Sequence, residues 1–205
     1  MSKEIVGQIA GLIVILSVIP YSLRVYQRKI TPNIISWSLW TLLGLALLLT
    51  YRDSGAKSNI WPVFFSFLNT LLISTIAIVR QNQQVLFKIS KFDSTCFILG
   101  LISLIMWIFV RNSRNLVQYA LYIVVLTESL ACIPTIRFLW KSPWNDRPFA
   151  WSLFVIASAM NFYAIPEYTL ANVIVPIYMV VSSAIITLPL CLYRISNQIP
   201  LKEWI

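Results

Sequence analysis

The clearest candidate for chemistry is a single acid, Glu128, within the apolar stretch Val-Val-Leu-Thr-Glu-Ser-Leu-Ala. A charged carboxyl group is costly in hydrocarbon, so we expect this side chain to face other helices rather than lipid. Two roles are open to it. It either couples a proton or contacts a substrate, or it stays protonated and bonds to a neighbouring helix.

Small polar residues at helical spacing form the second candidate group. They are Ser66, Asn69, Thr70 and Ser74 in one stretch, Ser158 and Asn161 in another, and Ser183 and Thr187 in a third. Such residues line a polar cavity at mid-membrane or hydrogen-bond between packed helices, and the pattern leaves both alternatives open. If there is a cavity, it predicts a small polar solute as the ligand.

The sequence lacks the residue patterns that metal binding and catalysis require. The chain has no histidine, and Cys96, Cys132 and Cys191 lie far apart within apolar runs, where small apolar packing explains them. No nucleophile with a neighbouring base and no phosphate-binding loop occurs. We therefore expect no enzyme activity, no metal site and no cofactor.

The composition indicates an integral membrane protein. Of the 205 residues, 59% are hydrophobic and only 11% are charged, whereas soluble domains average about 45–50% and about 25%. The net charge of +9 comes from residues in short loops between apolar runs. Basic residues in such loops set the orientation of a membrane protein, so nucleic acid is not an expected partner.

Seven apolar runs are long enough to span a bilayer, which requires about 17–25 residues. The sequence predicts spans at 5–26, 34–51, 59–79, 95–110, 116–139, 149–165 and 170–193. Eleven of the 16 Lys and Arg residues fall in loops on one side. Because basic loops stay in the cytoplasm, the N-terminus is predicted outside and the C-terminus inside.

An ungapped internal repeat organises these spans. A shift of 114 residues places Pro20 on Pro134 and Trp37 on Trp151. The same shift aligns Ser38 with Ser152, Leu39 with Leu153, Ile60 with Ile174, Pro62 with Pro176 and Arg80 with Arg194. Residues 1–80 and 115–205 are therefore predicted three-helix repeats. The segment 81–114 supplies a linker and a fourth, inverting helix, which makes the repeats parallel in a 3+1+3 arrangement.

The paired prolines are candidate hinges. Pro20 and Pro134, with Tyr21 and Thr135 after them, fall at the predicted inner ends of the first and fifth spans. Proline removes one helix hydrogen bond and bends the axis. The bend either acts as an inner gate or is a static kink that fits the packing.

The stretches Ile-Pro-Tyr-Ser-Leu-Arg (19–24) and Ile-Pro-Thr-Ile-Arg (133–137), each followed by a basic loop, resemble the PQ-loop and SWEET/SemiSWEET superfamily. Two further stretches, 36–44 and 134–143, look closer to uncharacterised bacterial seven-helix membrane proteins of that type. The resemblance covers nearly the whole chain. It implies a seven-helix carrier fold and alternating access between two three-helix bundles.

These observations together predict a small-solute transporter of the bacterial plasma (inner) membrane. Its expected partners are a small polar solute, the lipid bilayer and protons. One chain with two repeats is sufficient for one pathway, so a monomer suffices, and a homo-oligomer is compatible with the pattern. The alternative is a non-transporting receptor or scaffold on the same fold, which would bind partners through the aromatic and basic segment 137–144.

Overall fold

The structure is a computed structural model that describes residues 2–28, 34–80 and 91–204. Within these ranges the regular structure is helical, and no strand occurs. Among the described residues, six helical segments are long and apolar enough to cross a membrane. Lipid offers no hydrogen-bond partners, so backbone groups in apolar runs must satisfy one another within helices. The predicted class, an all-helical integral membrane protein, is confirmed.

Eight α-helices follow one another in the described part of the chain. They are α1 (Lys3–Tyr26), α2 (Ile34–Asp53), α3 (Trp61–Arg80), α4 (Lys91–Val110), α5 (Arg114–Ala131), α6 (Ile133–Lys141), α7 (Pro148–Ala164) and α8 (Leu170–Ser196). Helices α5 and α6 form one membrane-length segment, while α7 is apolar but shorter, at 17 residues. Part of the predicted linker, 81–90, and the loop residue Lys29 lie outside the described residues.

The fifth predicted span differs from expectation in one respect. It was predicted as one helix, but the structure divides it at Cys132, between α5 and α6. Pro134 explains the division, because it has no N–H to donate and sits in the first turn of α6, where that loss is tolerated. Its repeat partner Pro20 lies inside α1, which runs on without a break.

The helices pack in an order that repeats. Helix α3 lies between α1 and α2, and α8 lies between α7 and the α5–α6 segment. Two further contacts join the predicted repeats to each other: α1 packs against α7, and α2 packs against α5. Helix α4 packs on α2 and α5. Each first helix of one predicted repeat therefore contacts the second helix of the other.

The bundle has two ends, which we name by one residue each. At the Lys3 end, Lys3 meets the α7–α8 connection, and the α2–α3 and α4–α5 connections lie there too. At the Arg194 end, α8 finishes beside the α6–α7 connection. Because α1 starts at one end and successive helices alternate, the predicted outer loops all fall at the Lys3 end.

Helix α1 approaches α3 closely because two glycines face it. A Cβ on Gly7 would overlap the carbonyl oxygen of Ser58, and one on Gly11 would lie 2.6 Å from the Phe65 ring. The repeat-related residues of α5 are Leu121 and Val125. Larger side chains at these positions hold α5 and α8 further apart, and their contact is the less extensive one.

Two prolines inside α8 free carbonyl groups that tie α8 to its neighbours. Pro176 cannot donate to the carbonyl of Asn172, and the Tyr51 hydroxyl of α2 donates to that oxygen instead, at 2.9 Å. Pro189 likewise frees the carbonyl of Ile185. The indole N–H of Trp140 on α6 donates to it at 3.1 Å.

Candidate functional site

Glu128 lies buried between α5 and α8, as the sequence predicts for an acid within a span. Its side chain lies next to the Tyr178 hydroxyl of α8. The Tyr178 hydroxyl also lies 3.7 Å from the thiol of Cys132, one helical turn beyond Glu128. The three side chains form a cluster near the middle of the segment Arg114–Lys141, which we call the Glu128 cluster.

Asn69 faces α1 at a comparable depth. Its Nδ2 donates to the carbonyl oxygen of Val14 at 2.9 Å. Ser17 of α1 donates to the same oxygen at 2.7 Å. The Oδ1 atom of Asn69 is buried and has no hydrogen-bond partner among the described residues. This amide therefore keeps one free acceptor inside the bundle.

Asn161 and Ser158 are the most completely buried polar side chains of α7. Both are fully buried, and neither the Asn161 amide nor the Ser158 hydroxyl has a partner within the described ranges. The neighbouring Ala157 packs against Ala10 and Val14 of α1, so this part of α7 faces α1. An unpaired buried amide is costly, since most buried polar groups find a partner. A water molecule or a polar solute would satisfy these atoms.

Asn69 of α3 and the pair Ser158 and Asn161 of α7 thus lie on helices that pack against α1. We call these three residues the amide site. Val14 connects its parts, because it accepts from Asn69 and packs against Ala157. The site offers amide and hydroxyl groups but no charged side chain of its own, which favours an uncharged polar ligand.

Ser183 and Thr187, two further predicted site residues, form their hydrogen bonds within their own helix, α8. Ser183 is buried and donates to the carbonyl of Met179 in its own helix, and Thr187 donates to the carbonyl of Ser183 at 2.7 Å. Such bonds satisfy the hydroxyls without reaching another helix. Ser66 is half-buried on α3. The structure does not bring Ser183 to Asn69, its repeat partner, by any hydrogen bond in the described residues.

The predicted hinge residues lie near the Arg194 end. The ring of Tyr21 packs 5.4 Å from that of Trp37, which joins α1 to α2. Pro134 is exposed, and Thr135 is half-buried in the first turn of α6. The two prolines therefore differ: one lies inside a continuous helix, and the other starts a short helix.

The Lys3 end is closed by side chains that bond to carbonyl groups left without helix partners at the end of α7. Ser58 Oγ donates to the carbonyl of Ala164 at 2.6 Å, and Lys3 Nζ donates to that of Ile165 at 2.7 Å. These carbonyls belong to the end of α7, where helix carbonyls lack partners in the helix. The bonds hold the α2–α3 connection and the N-terminus against α7.

An ion pair adds to this closure. Arg114 donates to Glu167 at 2.7 Å and to the carbonyl oxygen of Ser54 at 3.2 Å. The arginine holds the pKa of the Glu167 carboxyl below its ordinary value, because the hydrogen bond and the positive charge favour the ionised form. Both side chains are about half exposed, so the pair is a weak tie.

No protein-family model, curated protein or solved structure matches the chain.

The Arg194 end carries a cluster of arginines. Arg194 is buried and donates to the carbonyl oxygens of Asp146, at 2.7 Å, and Pro143, at 3.3 Å. Desolvation, then the positive charges of Arg24 and Arg194, lower the pKa of Arg147. These bonds fix the α6–α7 connection to the end of α8.

Two features near Glu128 escaped prediction from the sequence. Tyr178 was not among the predicted site residues, although it lies next to Glu128. The second feature is a groove between α5 and α8, of about 430 Å³, which none of the predicted site residues lines. The repeat held a signal for both. Phe64, Phe67 and Leu68 of α3 correspond to Tyr178, Val181 and Ser182 of α8. Helix α8 therefore carries two hydroxyl groups that α3 lacks, and it has smaller side chains at two of these positions.

Proposed function

We propose that this protein is a small-solute transporter that works by alternating access and takes an uncharged polar solute. The observation that carries the proposal is the amide site. Asn161 and Ser158 hold buried polar atoms without protein partners on α7, which packs against α1 of the other predicted repeat, and Asn69 holds another on the α3 side of α1. An amide without a hydrogen-bond partner inside a membrane protein destabilises the folded state. A bound solute or water would provide the missing hydrogen bonds.

The packing order supports the proposed 3+1+3 plan. In each predicted repeat the third helix lies between the first and second, and the two repeats exchange contacts through α1–α7 and α2–α5. Two similar units facing each other are suited to rocking about a site between them. The fifth span is then α5 with α6, and the sixth is α7. The resemblance to the PQ-loop and SWEET/SemiSWEET superfamily favours the same plan.

The two ends support a direction for the motion. We place the Lys3 end outside and the Arg194 end in the cytoplasm of a bacterial plasma (inner) membrane, because the basic loops favour that orientation. The Lys3 end is closed by Ser58, Lys3 and Arg114. The Arg194 end holds the helix break at Pro134, which allows α6 to move relative to α5. The protein thus resembles a carrier closed to the outside.

Transport by purified protein tests the proposal. The wild type, reconstituted in liposomes, should take up at least one member of a radiolabelled panel of sugars, amino acids and vitamins. Asn161→Leu introduces the residue that the first repeat carries at the equivalent position, Leu47. We expect it to lower uptake at least tenfold and to raise the unfolding temperature, because a buried unpaired amide is removed.

The matched control is Asn115→Leu, which changes an exposed asparagine on α5 and should leave uptake unchanged. Absence of flux and of ligand-induced thermal shift across the panel would count against the transporter. Wild-type uptake by Asn161→Leu would show that the amide site does not bind the solute.

Glu128 is the proposed proton-coupling residue, with Pro20, Pro134, Tyr21 and Thr135 at the inner gate. Glu128→Gln keeps the shape but cannot release a proton. We expect it to abolish uptake driven by a pH gradient and to spare solute exchange. Gradient-driven uptake at the wild-type rate would exclude coupling through this residue.

A receptor or scaffold remains the second candidate because of three exposed aromatic residues. Phe138, Trp140 and Trp144 are each more than half exposed, at the Arg194 end. Aromatic side chains at this depth also anchor helices at the membrane interface. Stoichiometric recovery of one partner by the wild type, lost on Trp144→Ala, would favour the scaffold over the transporter.

A further inference from the structure

The groove between α5 and α8 opens sideways to the bilayer. Its rim includes Leu126 of α5 and Ile177 and Val181 of α8, whose side chains are about half exposed. It extends on α5 from Tyr122 to Ile136, across the middle of the segment Arg114–Lys141. A surface at this depth contacts lipid acyl chains rather than water or head groups.

The groove is long and apolar. With a helical rise of 1.5 Å per residue, the 14 steps from Tyr122 to Ile136 give a length of about 21 Å. Its volume is about 430 Å³. A long apolar groove of this kind matches the shape of an extended aliphatic chain.

The hydroxyl groups that line the groove already have partners within the protein. The hydroxyls of Ser129 and Ser182 donate to carbonyls of their own helices, both at 2.7 Å. Tyr122 donates to Gln118 at 3.2 Å. Tyr178 belongs to the Glu128 cluster. None of the 12 lining residues is charged. The polar groups are already used, so an apolar occupant leaves nothing unpaired.

We infer that the α5–α8 groove is a binding site for one acyl chain of a membrane lipid. The chain lies along α5 and fills the space that Phe67 and Leu68 occupy at the equivalent place in α3. It covers Cys132 and Tyr178, and so it completes the apolar wall over the Glu128 carboxyl. The inference rests on the groove alone and holds whether or not the protein transports.

Photolabelling by a lipid tests the inference. The wild-type protein is reconstituted in bilayers containing a phospholipid with a diazirine in its acyl chain, irradiated, digested and mapped by mass spectrometry. We expect adducts on 122–136 and 174–185 to exceed, by at least fivefold per residue, those on the exposed α4 face. That face carries Ile98, Ile105 and Phe109.

A filled groove should lose its labelling. The variant carrying Val181→Phe with Ser182→Leu introduces the residues of the first repeat and should lower groove adducts to the α4 level. The matched control, Leu188→Phe, adds bulk on an exposed position of α8 outside the groove and should label like the wild type.

A second measurement uses the wild type alone, in case the filled variant does not fold. Native mass spectrometry from detergent should find one phospholipid retained per chain. Groove labelling no stronger than on α4, no retained lipid, or crosslinks between two chains at the groove would each overturn the inference. The last result would make the groove a contact between copies.

Discussion

Two helix pairs occupy equivalent places in the repeat and are built differently. In the pair α1–α3, glycines let the backbones meet, and Phe65 and Ser58 fill the contact. In the pair α5–α8, a groove remains open, and the buried Glu128, Tyr178 and Cys132 lie behind it. The first pair resembles a fixed frame, and the second holds polar groups and free space.

The difference indicates different tasks for the two predicted repeats. Close backbone packing between small residues stabilises membrane helices without a hydrophobic driving force. A loosely packed pair gives up that stability and gains freedom to move or to hold a ligand. We therefore expect changes in α1–α3 to affect folding and changes in α5–α8 to affect ligands.

The largest effect should come from closing the glycine contact. Gly7→Ala places a methyl group on the carbonyl of Ser58, which is backbone and cannot rotate away. We expect a loss of about 3 kcal/mol of unfolding free energy, the upper part of the range for overpacking. Unfolding in detergent by a denaturant measures it. Gly44→Ala, whose Cβ would lie 3.5 Å from Phe67, is the neutral control.

The polar cluster should behave as a unit. Tyr178→Phe leaves the buried Glu128 carboxyl without this partner, which should cost about 1–2 kcal/mol. Adding Glu128→Val, the residue at the equivalent position 14, removes both partners. The double variant should then cost less than the sum of the single variants. Tyr119→Phe, at an exposed tyrosine, controls for the loss of a hydroxyl. Additive losses would show that the cluster is not coupled.

The smallest effect should come from the exposed ion pair. Arg114 lowers the pKa of Glu167, so the pair contributes stability above the ordinary carboxyl value of 4.5. That contribution disappears as the pH falls through the lowered pKa of the folded state. The wild type should lose slightly more stability between pH 5 and about pH 3 than Glu167→Gln does. Equal pH profiles would show that the pair contributes nothing measurable.

The sequence predicted the helical membrane class and the burial of Glu128, because apolar length and an isolated acid carry those signals directly. It did not predict the division at Cys132, since a proline alone does not reveal whether a helix continues, as at Pro20, or ends. Nor did it reveal the partner of Glu128. Tyr178 lies 50 residues away, and only the packing of α5 on α8 brings the two together.

The sequence holds part of the information that predicts the groove. Comparing the repeats position by position shows Val14 replaced by Glu128, Val18 by Cys132 and Phe64 by Tyr178. Three apolar side chains are replaced by a carboxyl, a thiol and a phenol group, which indicates a shared site. The open space itself depends on side-chain volumes at a contact whose spacing the sequence does not state. That spacing follows from residues such as Leu121 and Val125.

The most direct test of alternating access is whether the amide site opens to one side at a time. Ser158→Cys, with Cys96, Cys132 and Cys191 replaced by alanine, is exposed to a membrane-impermeant maleimide from each side. We predict labelling from both sides. Adding Arg114→Ala, which weakens the closed Lys3 end, should raise the rate from that side several-fold and not raise the other. Labelling from neither side, or rates that Arg114→Ala leaves unchanged, would contradict the account.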